Sequence, residues 1–405
     1  MKSIKQNSPQ AVVAIALITA ACLTGDSMLY IALPTHWEQA GLDSLWEVGI
    51  LLSINRFIRL PLTPAIGWAY ARIGVRTGVL AAVVLTGLLT VGYGLADGFA
   101  GWLLLRCLWG VAWTLLRMGA YLMILDCTDE ACSGAVFGRY NGLFRLGSLV
   151  GMLTGGVIAD LWGMPAAAFG FGAIVFATLP LVFRYAPTVC VAPKETEPLR
   201  QRLRQVNTPA IVRALGSGLL IAAAYQGVVA SSLSHLIRSN WGPAVALGFG
   251  AVGAASLSGG LQALRWAWEP WLAPWFGRLS DGPRGRRKIL GALLMAAAVL
   301  LGAVSLQLPF GLWLAAVLGM QVTATALTTI GDAAAADAAQ SRARTTVMTL
   351  YVMATDIGAA LGPFLGYLLA ELRGAASMYQ AAALWLFALG LWWLSDGFRR
   401  PSSVA

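Results

Sequence analysis

Charge is what this sequence has least of. Asp, Glu, Lys and Arg make up 11% of its 405 residues, whereas 58% are hydrophobic and the mean hydropathy is +0.71. So little polar surface cannot cover a soluble globule of this size, which excludes a water-soluble domain and places the chain in a bilayer. Cysteine is scarce too. Cys22, Cys107, Cys127, Cys132 and Cys190 fall in apolar runs or on loops of the cytoplasmic side, so no external disulfide framework is expected. Cys127 and Cys132 lie near Asp126, Asp129 and Glu130, but that cluster reads as a solvated loop and no metal is expected. The two histidines, His36 and His235, stand at outer span ends and read as interfacial residues. No glycine-rich run ends in Gly-Lys-Ser or Gly-Lys-Thr, which removes a nucleotide-binding loop and leaves an ion or substrate gradient as the energy source. Neither an enzyme nor a cofactor is implied.

What the chain does have is apolar runs of about twenty residues, each enough to cross roughly 30 Å of hydrocarbon. Twelve spans are predicted. Span 1 covers residues 11–34, and the absence of a small-residue cleavage site before Asp26 and Tyr30 reads as an uncleaved first helix. Span 2 runs from Leu45 to about Tyr70, span 3 to about Ala96, and span 4 over 102–125; span 5 reaches Asp160 and span 6 ends at Arg184. Spans 7 to 12 fall near 211–237, 246–276, 288–307, 310–331, 345–370 and 378–394. Residues 184–209 hold Pro187, Pro193, Pro198, Pro209 and the run RQRLRQ, the one substantial polar linker. The expected division is therefore 1–183, a linker over 184–209, and 210–405.

Net charge is +10, but its placement says more than its sum. Of 28 Lys and Arg, 20 fall on one set of loops and ends and two, Arg238 and Arg373, on the other. By the positive-inside rule both termini are cytoplasmic, in a cytoplasmic membrane, and the charge is no sign of nucleic acid.

The halves repeat each other. NRFIRLPLTPAIGWAYARIGVR, residues 55–76, returns 209 residues later as RWAWEPWLAPWFGRLSDGPRGRRK, with Arg56, Pro61, Pro64 and Gly67 answered by Arg265, Pro270, Pro274 and Gly277. Gly147, Gly151 and Gly155 of span 5 recur as Gly358, Gly362 and Gly366 of span 11, each trio on one helix face that lets a neighbour approach. Two residues before the trios stand Arg145 and Asp356, opposite charges that a pseudo-twofold axis along the membrane normal sets facing one another.

Twelve spans in two parallel six-helix repeats with a basic central linker resemble the major facilitator superfamily, over essentially the whole chain. The family's loop after span 2 is matched by Gly67, Arg72, Gly74 and Arg76, with Ala71 where the family has aspartate; the loop after span 8 keeps that carboxylate in Gly277, Asp281, Arg284, Gly285 and Arg286. The resemblance implies that these residues latch the cytoplasmic side, mainly through the second half. The family's arginine four residues before a glycine is matched in span 4 by Arg106 and Gly110. Gly142, Gly151, Gly155 and Gly156 fit part of the antiporters' span 5 motif, whose proline is missing here, while Gly362 and Pro363 stand in span 11; together they tilt the reading toward export. GDSMLYIALP in span 1 and NRFIRLP in span 2 are similar to exporters of opine-type, nicotianamine-like metallophores.

The fold class implied is an all-α polytopic membrane protein, twelve transmembrane helices in two pseudo-symmetric six-helix bundles. Ionisable groups inside spans cost about 2.5–3.5 kcal/mol each on insertion scales and usually face a water-filled path or a partner. Six arginines (56, 59, 106, 117, 145 and 265) stand there against Asp26, Glu269 and Asp356, an excess of positive charge that an anionic, carboxylate-rich substrate complements. The candidate substrate-binding residues are Asp26, Tyr30, Asn55, Arg56, Arg59, Trp113, Arg117, Arg145, Tyr225, Gln226, Arg265, Glu269 and Asp356. Asp26, Arg106 and Asp356 are the candidate proton-coupling groups. Plainer roles stand beside these: Arg106 holding span 4 to span 1, Arg59 snorkelling to the interface, Glu269 capping local backbone before Pro270, and Arg145 with Asp356 forming a structural ion pair. Arg106 and Arg117, three turns apart, are expected on one face, and Trp268, Trp271 and Trp275 on a lipid-facing stripe. The partners expected are a small anionic molecule, protons and lipid, with the chain a monomer. A multidrug antiporter and an importer of organic anions are the alternative readings.

Overall fold

The computed structural model describes residues 8–127, 133–187, 208–247, 250–280, 285–338 and 344–395. Among them the chain is almost entirely helical. In order come α1 (Ser8–Ala32), α2 (Leu45–Ile73), α3 (Val75–Gly92), α4 (Phe99–Cys127), α5 (Ser133–Trp162), α6 (Met164–Ala177) and α7 (Leu179–Tyr185). Next are α8 (Pro209–Ala222), a π-helical turn (Ala223–Val229), α9 (Ala230–Trp241), a hairpin of β1 (Ala244–Leu247) and β2 (Gly250–Gly253), α10 (Ala254–Ser280), α11 (Arg286–Val304), α12 (Phe310–Ala338), α13 (Arg344–Arg373) and α14 (Ala376–Ser395).

Among the described residues the helices make twelve spans, α6 continuing into α7 and α8 passing through the π turn into α9. Ten meet the length and hydropathy of a membrane crossing on their own. The two that fall short are α2 and α10, the repeated proline-broken pair, whose arginines and prolines dilute their apolar character. Span 8 also begins later than 246, because Ala244–Leu247 pairs antiparallel with Gly250–Gly253, Ala244 opposite Gly253 and Leu247 opposite Gly250. The apolar composition of that stretch does not separate a strand from a helix.

Local chemistry sets the boundaries. Ser44 accepts the Glu47 amide at 3.4 Å while the Glu47 carboxylate accepts the Asp43 amide at 2.9 Å, so two orphan donors at the start of α2 are satisfied together. Thr208 accepts the Ile211 amide at 3.4 Å with Pro209 at the first helical position of α8. Gly74 and Gly285, at matching places after α2 and before α11, both adopt φ 74°, a left-handed conformation that only glycine takes without strain.

The glycine trios do in each half what their spacing predicts. Gly147 and Gly151 of α5 lie on the Ala20 and Thr24 carbonyls of α1, and Gly155 on Met28; a Cβ at any of them would overlap the neighbouring helix. Gly358 of α13 lies on the Leu219 carbonyl of α8, and Gly362 on the Ala223 carbonyl and the Gly227 Cα of the π turn. Helix approach without side chains in the way is how packing is won in lipid, where no hydrophobic drive holds helices together.

Two compact units result: Met1–Thr196 with Ser231–Trp266, and Glu197–Ala230 with Ala267–Ala405. The inclusion of 231–266 in the first unit has a visible cause at the start of α10. Asp160, at the end of α5, accepts the Ser256 amide at 2.7 Å and the Ser256 hydroxyl at 2.5 Å, capping α10 from another helix. Gly156 and Gly259 then let α5 and α10 touch backbone to backbone, at the Ala255 and Met152 carbonyls. In the first unit a core of Val12, Ile15, Ile18, Cys22, Val79, Val83, Trp109, Leu116 and Tyr140 joins α1, α3, α4 and α5. In the second, α8 packs on α13, and α11 on α12 and α14.

Replacing Gly151 with leucine therefore forces α5 off α1. The expected result is loss of the monodisperse peak in detergent size-exclusion chromatography, while Gly142→Leu, whose Cβ meets nothing within 4 Å, leaves it intact.

Candidate functional site

The charges inside the spans are built into the first unit in three different ways. Arg106 of α4 is fully buried and directs Nη1 to the Asp26 carboxylate of α1 at 2.5 Å. Its Nε donates to the Leu51 carbonyl of α2 at 2.8 Å, and Nη1 lies 3.5 Å from the Tyr93 hydroxyl just past α3. One guanidinium thus ties α4 to α1, α2 and the end of α3. One turn on, Gly110 admits the Asn55 carbonyl, from which a Cβ would lie 2.7 Å, and this gives the arginine-glycine spacing of span 4 its physical reason. Two polar atoms beside this knot, Arg106 Nη2 and Asn55 Oδ1, are buried with no hydrogen-bond partner among the described residues. Tyr30, buried one turn after Asp26, donates to the Leu52 carbonyl at 3.3 Å.

Arg117 has a different environment from Arg106. Its Nη2 and Nε donate to the Tyr121 hydroxyl at 2.7 and 3.1 Å, and its guanidinium carbon lies 5.4 Å from the Tyr121 ring, 5.7 Å from Trp113 and 5.9 Å from Phe144. The two arginines stand at one phase of α4 but their side chains have different surroundings: one packs on α1 and α2, the other runs along α4 into an aromatic setting. Trp113, a candidate substrate contact, is buried and meets Phe144 edge-on at 6.4 Å. Guanidinium planes and π faces attract one another, more so where water is excluded.

The third arrangement joins α5 and α10. Arg145 and Arg265 both approach the Trp266 indole, at 5.4 and 5.3 Å from the ring centroid, so two cations share one aromatic ring. Arg265 is buried and Arg145 exposed. Trp266 is no candidate from sequence, where the helical stripe draws attention to Trp268, Trp271 and Trp275; its signal is its place directly after Arg265. Trp271 and Trp275 are 74% and 52% exposed, as a lipid-facing stripe requires. Arg56 and Arg59 are half-buried on α2.

In the second unit Tyr225 is fully buried in the π turn, its hydroxyl 2.8 Å from that of Thr323 on α12, and Gln226 beside it is half-buried. Such turns widen the helix by a residue and occur often at functional sites. Glu269 on α10 and Asp356 on α13 are half-buried. Sequence reasoning misses Tyr93, Tyr121 and Phe144, which carry no charge and stand out only once the arginines beside them are placed.

Among the gating residues, Arg72 stacks over Trp68 at 3.5 Å, with Gly67 one turn before it. Arg76 donates Nε to the Ala186 carbonyl at 2.8 Å and its amide to the Pro187 carbonyl at 3.0 Å. Arg286 pairs with Asp337 and donates to the Ala333 carbonyl, both on α12. Gly277 is helical in α10, while Asp281 and Arg284 lie outside the described residues. No group of three or more metal-ligating side chains occurs among the described residues.

The fold has parallels among known proteins. A bacterial homologue of the human lysosomal transporter Spinster, in an inward-facing and unoccupied conformation, superposes with a TM-score of 0.78 over 100% of both chains at 16% identity. A peptide transporter in complex with sulfate gives 0.76 at 13% identity, over 96% of this chain and 94% of its own. Two multidrug resistance proteins MdtG are similar in sequence: that of Klebsiella pneumoniae is 26% identical over 69% of this chain and 68% of its own, and that of Enterobacter lignolyticus 25% over 70% and 67%. The model of the Major Facilitator Superfamily matches residues 15–274 and 270–404. With nearly the whole length matched and the fold shared, this multi-pass membrane protein belongs to the Major Facilitator Superfamily.

Proposed function

We propose that this chain is a secondary active exporter of a small anionic, carboxylate-bearing molecule, driven by protons and working by alternating access. The observation that carries this reading is the pair Arg145 and Arg265 at the Trp266 ring, two guanidiniums from two helices beside one indole. A carboxylate is bound by guanidinium in a planar, two-point geometry, and a neighbouring aromatic ring supports the apolar part of such a ligand. Arg117, among Trp113, Tyr121 and Phe144, repeats the combination on α4.

Asp26 serves as the proton site. Its carboxylate is held by Arg106 next to two buried polar atoms that have spare hydrogen-bonding capacity, so taking up a proton weakens its hold on the arginine and frees α1 to shift against α4. Asp356, in the second half, is the other candidate proton group. The two six-helix halves, divided in sequence at 184–209, rock about a midplane site. Both termini and the basic loops lie on the cytoplasmic side of the inner membrane, and Gly67–Arg76 with Gly277–Arg286 gate that side. The chain acts as a monomer. Opine-type metallophores are one carboxylate-rich class that this site suits. A second reading, efflux of chemically varied drugs, is favoured by the names of the relatives, and the charge of the cargo separates the two.

Arg145→Ala is expected to weaken binding of a carboxylate ligand about tenfold to a hundredfold, since a charge-assisted bond contributes roughly 1.5–3 kcal/mol, while a neutral analogue of the same shape loses little. Calorimetric titration of the purified protein reads this, and equal losses for the two ligands count against the anion site.

Asp26→Asn leaves Arg106 buried without its counter-charge. It is expected to abolish proton-driven export in liposomes and to destabilise the protein by about 3–5 kcal/mol. Adding Arg106→Gln recovers most of the stability but none of the coupling, because the proton site stays absent. Full proton-driven transport in the double variant would rule out Asp26.

A further inference from the structure

The Arg106 knot holds one donor more than it uses. Nε donates to the Leu51 carbonyl of α2 and Nη1 to the Asp26 carboxylate of α1, whereas Nη2 is buried with no hydrogen-bond partner among the described residues. Asn55 holds the complement: its side chain is 3% exposed, and its Oδ1 is buried and equally without a partner among them. The backbone makes the two neighbours. Asn55 stands one helical turn after Leu51, whose carbonyl Arg106 already holds. Gly110 stands one turn after Arg106 and lies against the Asn55 carbonyl, so the same turns of α4 and α2 are in contact. An unused donor and an unused acceptor on touching turns of two helices make a second position for the guanidinium.

Protonation decides which position is held. The Asp26 side chain is 13% exposed and that of Arg106 not at all, so the carboxylate is the member of the pair that meets water. The ionisable groups around it are Arg106 on α4, Tyr93 just past α3 and, on α1 itself, Cys22 and Tyr30 one turn to either side. From α2 the ionisable neighbour is Arg56 beside Asn55, while α3 and α5 meet this part of α1 through Thr90, Gly151 and Gly155, which carry no charge. We propose that Asn55 is a positioning residue for proton coupling: when Asp26 takes up a proton, Arg106 passes from the Asp26 carboxyl of α1 to the Asn55 Oδ1 of α2. This role rests on Asp26 being the proton site. The proton adds to the carboxylate and the guanidinium keeps its own, so a bond between ions is exchanged for one between a cation and an amide. While Asp26 is ionised the charge-assisted pair is the stronger and holds Arg106 on α1; once neutral, the carboxyl loses that advantage. α1 is then released while α4 stays tied to α2. The repeat supplies the contrast. Gly147 rests on Ala20 and Gly358 on Leu219, and six residues after these stand Asp26 and Tyr225. Tyr225 meets the Thr323 hydroxyl at 2.8 Å, so the equivalent tie of the second half joins two hydroxyls, which do not titrate near neutral pH.

The test is a double-variant cycle on the full chain in detergent, read by thermal unfolding, with Asp26→Asn standing in for the protonated carboxyl. Asn55→Leu alone is expected to move Tm by less than about 2 °C at neutral pH, because Asp26 then holds Arg106; in the Asp26→Asn background it is expected to lower Tm by about 5 °C or more. Equal shifts in the two backgrounds would overturn the exchange. Should Asp26→Asn not fold, acid does the same work: the Tm deficit of Asn55→Leu against the unsubstituted chain is expected to widen by about 5 °C between roughly pH 8 and pH 5, and a constant deficit counts against the exchange. A structural role alone does not move the third readout, the pH midpoint of the change in intrinsic tryptophan fluorescence. Asn55→Leu is expected to shift it to the acid side by about one unit, since the protonated state has lost its acceptor, and an unshifted midpoint would end the positioning role. Failure of the underlying reading has its own signature: a fluorescence step that persists in Asp26→Asn removes Asp26 as the proton site, and the role of Asn55 with it, whatever the cycle gives.

Discussion

Hydrocarbon offers a polar group no solvent, and the pair Arg106–Asp26 is the protein's answer to that constraint. A guanidinium with no exposure at all is tolerated only because a carboxylate from α1, a backbone carbonyl from α2 and a phenol just past α3 surround it. The same contacts that neutralise the charge also fix where α1, α2 and the end of α3 stand around α4. Gly110 and the glycine trio of α5 then bring backbones close enough for those polar contacts to form. Charge satisfaction and close packing are thus one constraint here.

That constraint is met twice, by unequal means. The duplicated chain keeps the features that position helices: both trios, both left-handed glycines at 74 and 285, and an arginine after each that reaches a carbonyl near the end of the sixth or twelfth span. It does not keep the same charges within the spans. The first half carries Asp26 and most of the span arginines, whereas the second carries Glu269, Asp356 and a π turn. Positioning is shared by symmetry, and a duplicated scaffold leaves each half free to hold different side chains at equivalent depths.

The fold is legible in the sequence because period, length and punctuation all agree. Twenty-residue apolar runs, the repeated Arg-Pro-Gly punctuation and the three-residue glycine gaps each correspond to a structural feature. Residues 244–253 are the exception: they are apolar and glycine-bearing, which suits a strand as well as a helix end, and only pairing decides. The site is legible as a set of charges but not as a set of partners. Asp26 has no basic neighbour on its own helix, and its partner stands 80 residues away on α4. Arg106 and Arg117 share a helical face in projection, yet a long side chain reaches a full turn along its helix, so equal phase does not give equal surroundings.

Aromatic rings account for the remaining difference between a set of arginines and a site. Arg117, Arg145 and Arg265 each lie against indole or phenol rings. An arginine held by a carboxylate in a dry interior is closed to a ligand unless that bond breaks, as at Arg106. An arginine resting on a ring has its face supported there while its in-plane donors meet other groups, as those of Arg117 meet the Tyr121 hydroxyl. The two modes sort the span arginines of the first unit by their surroundings: Arg106 holds helices together, and Arg117, Arg145 and Arg265 rest on rings. The proposed exporter needs both, because a group that grips cargo must be able to release it when a group that takes up a proton moves.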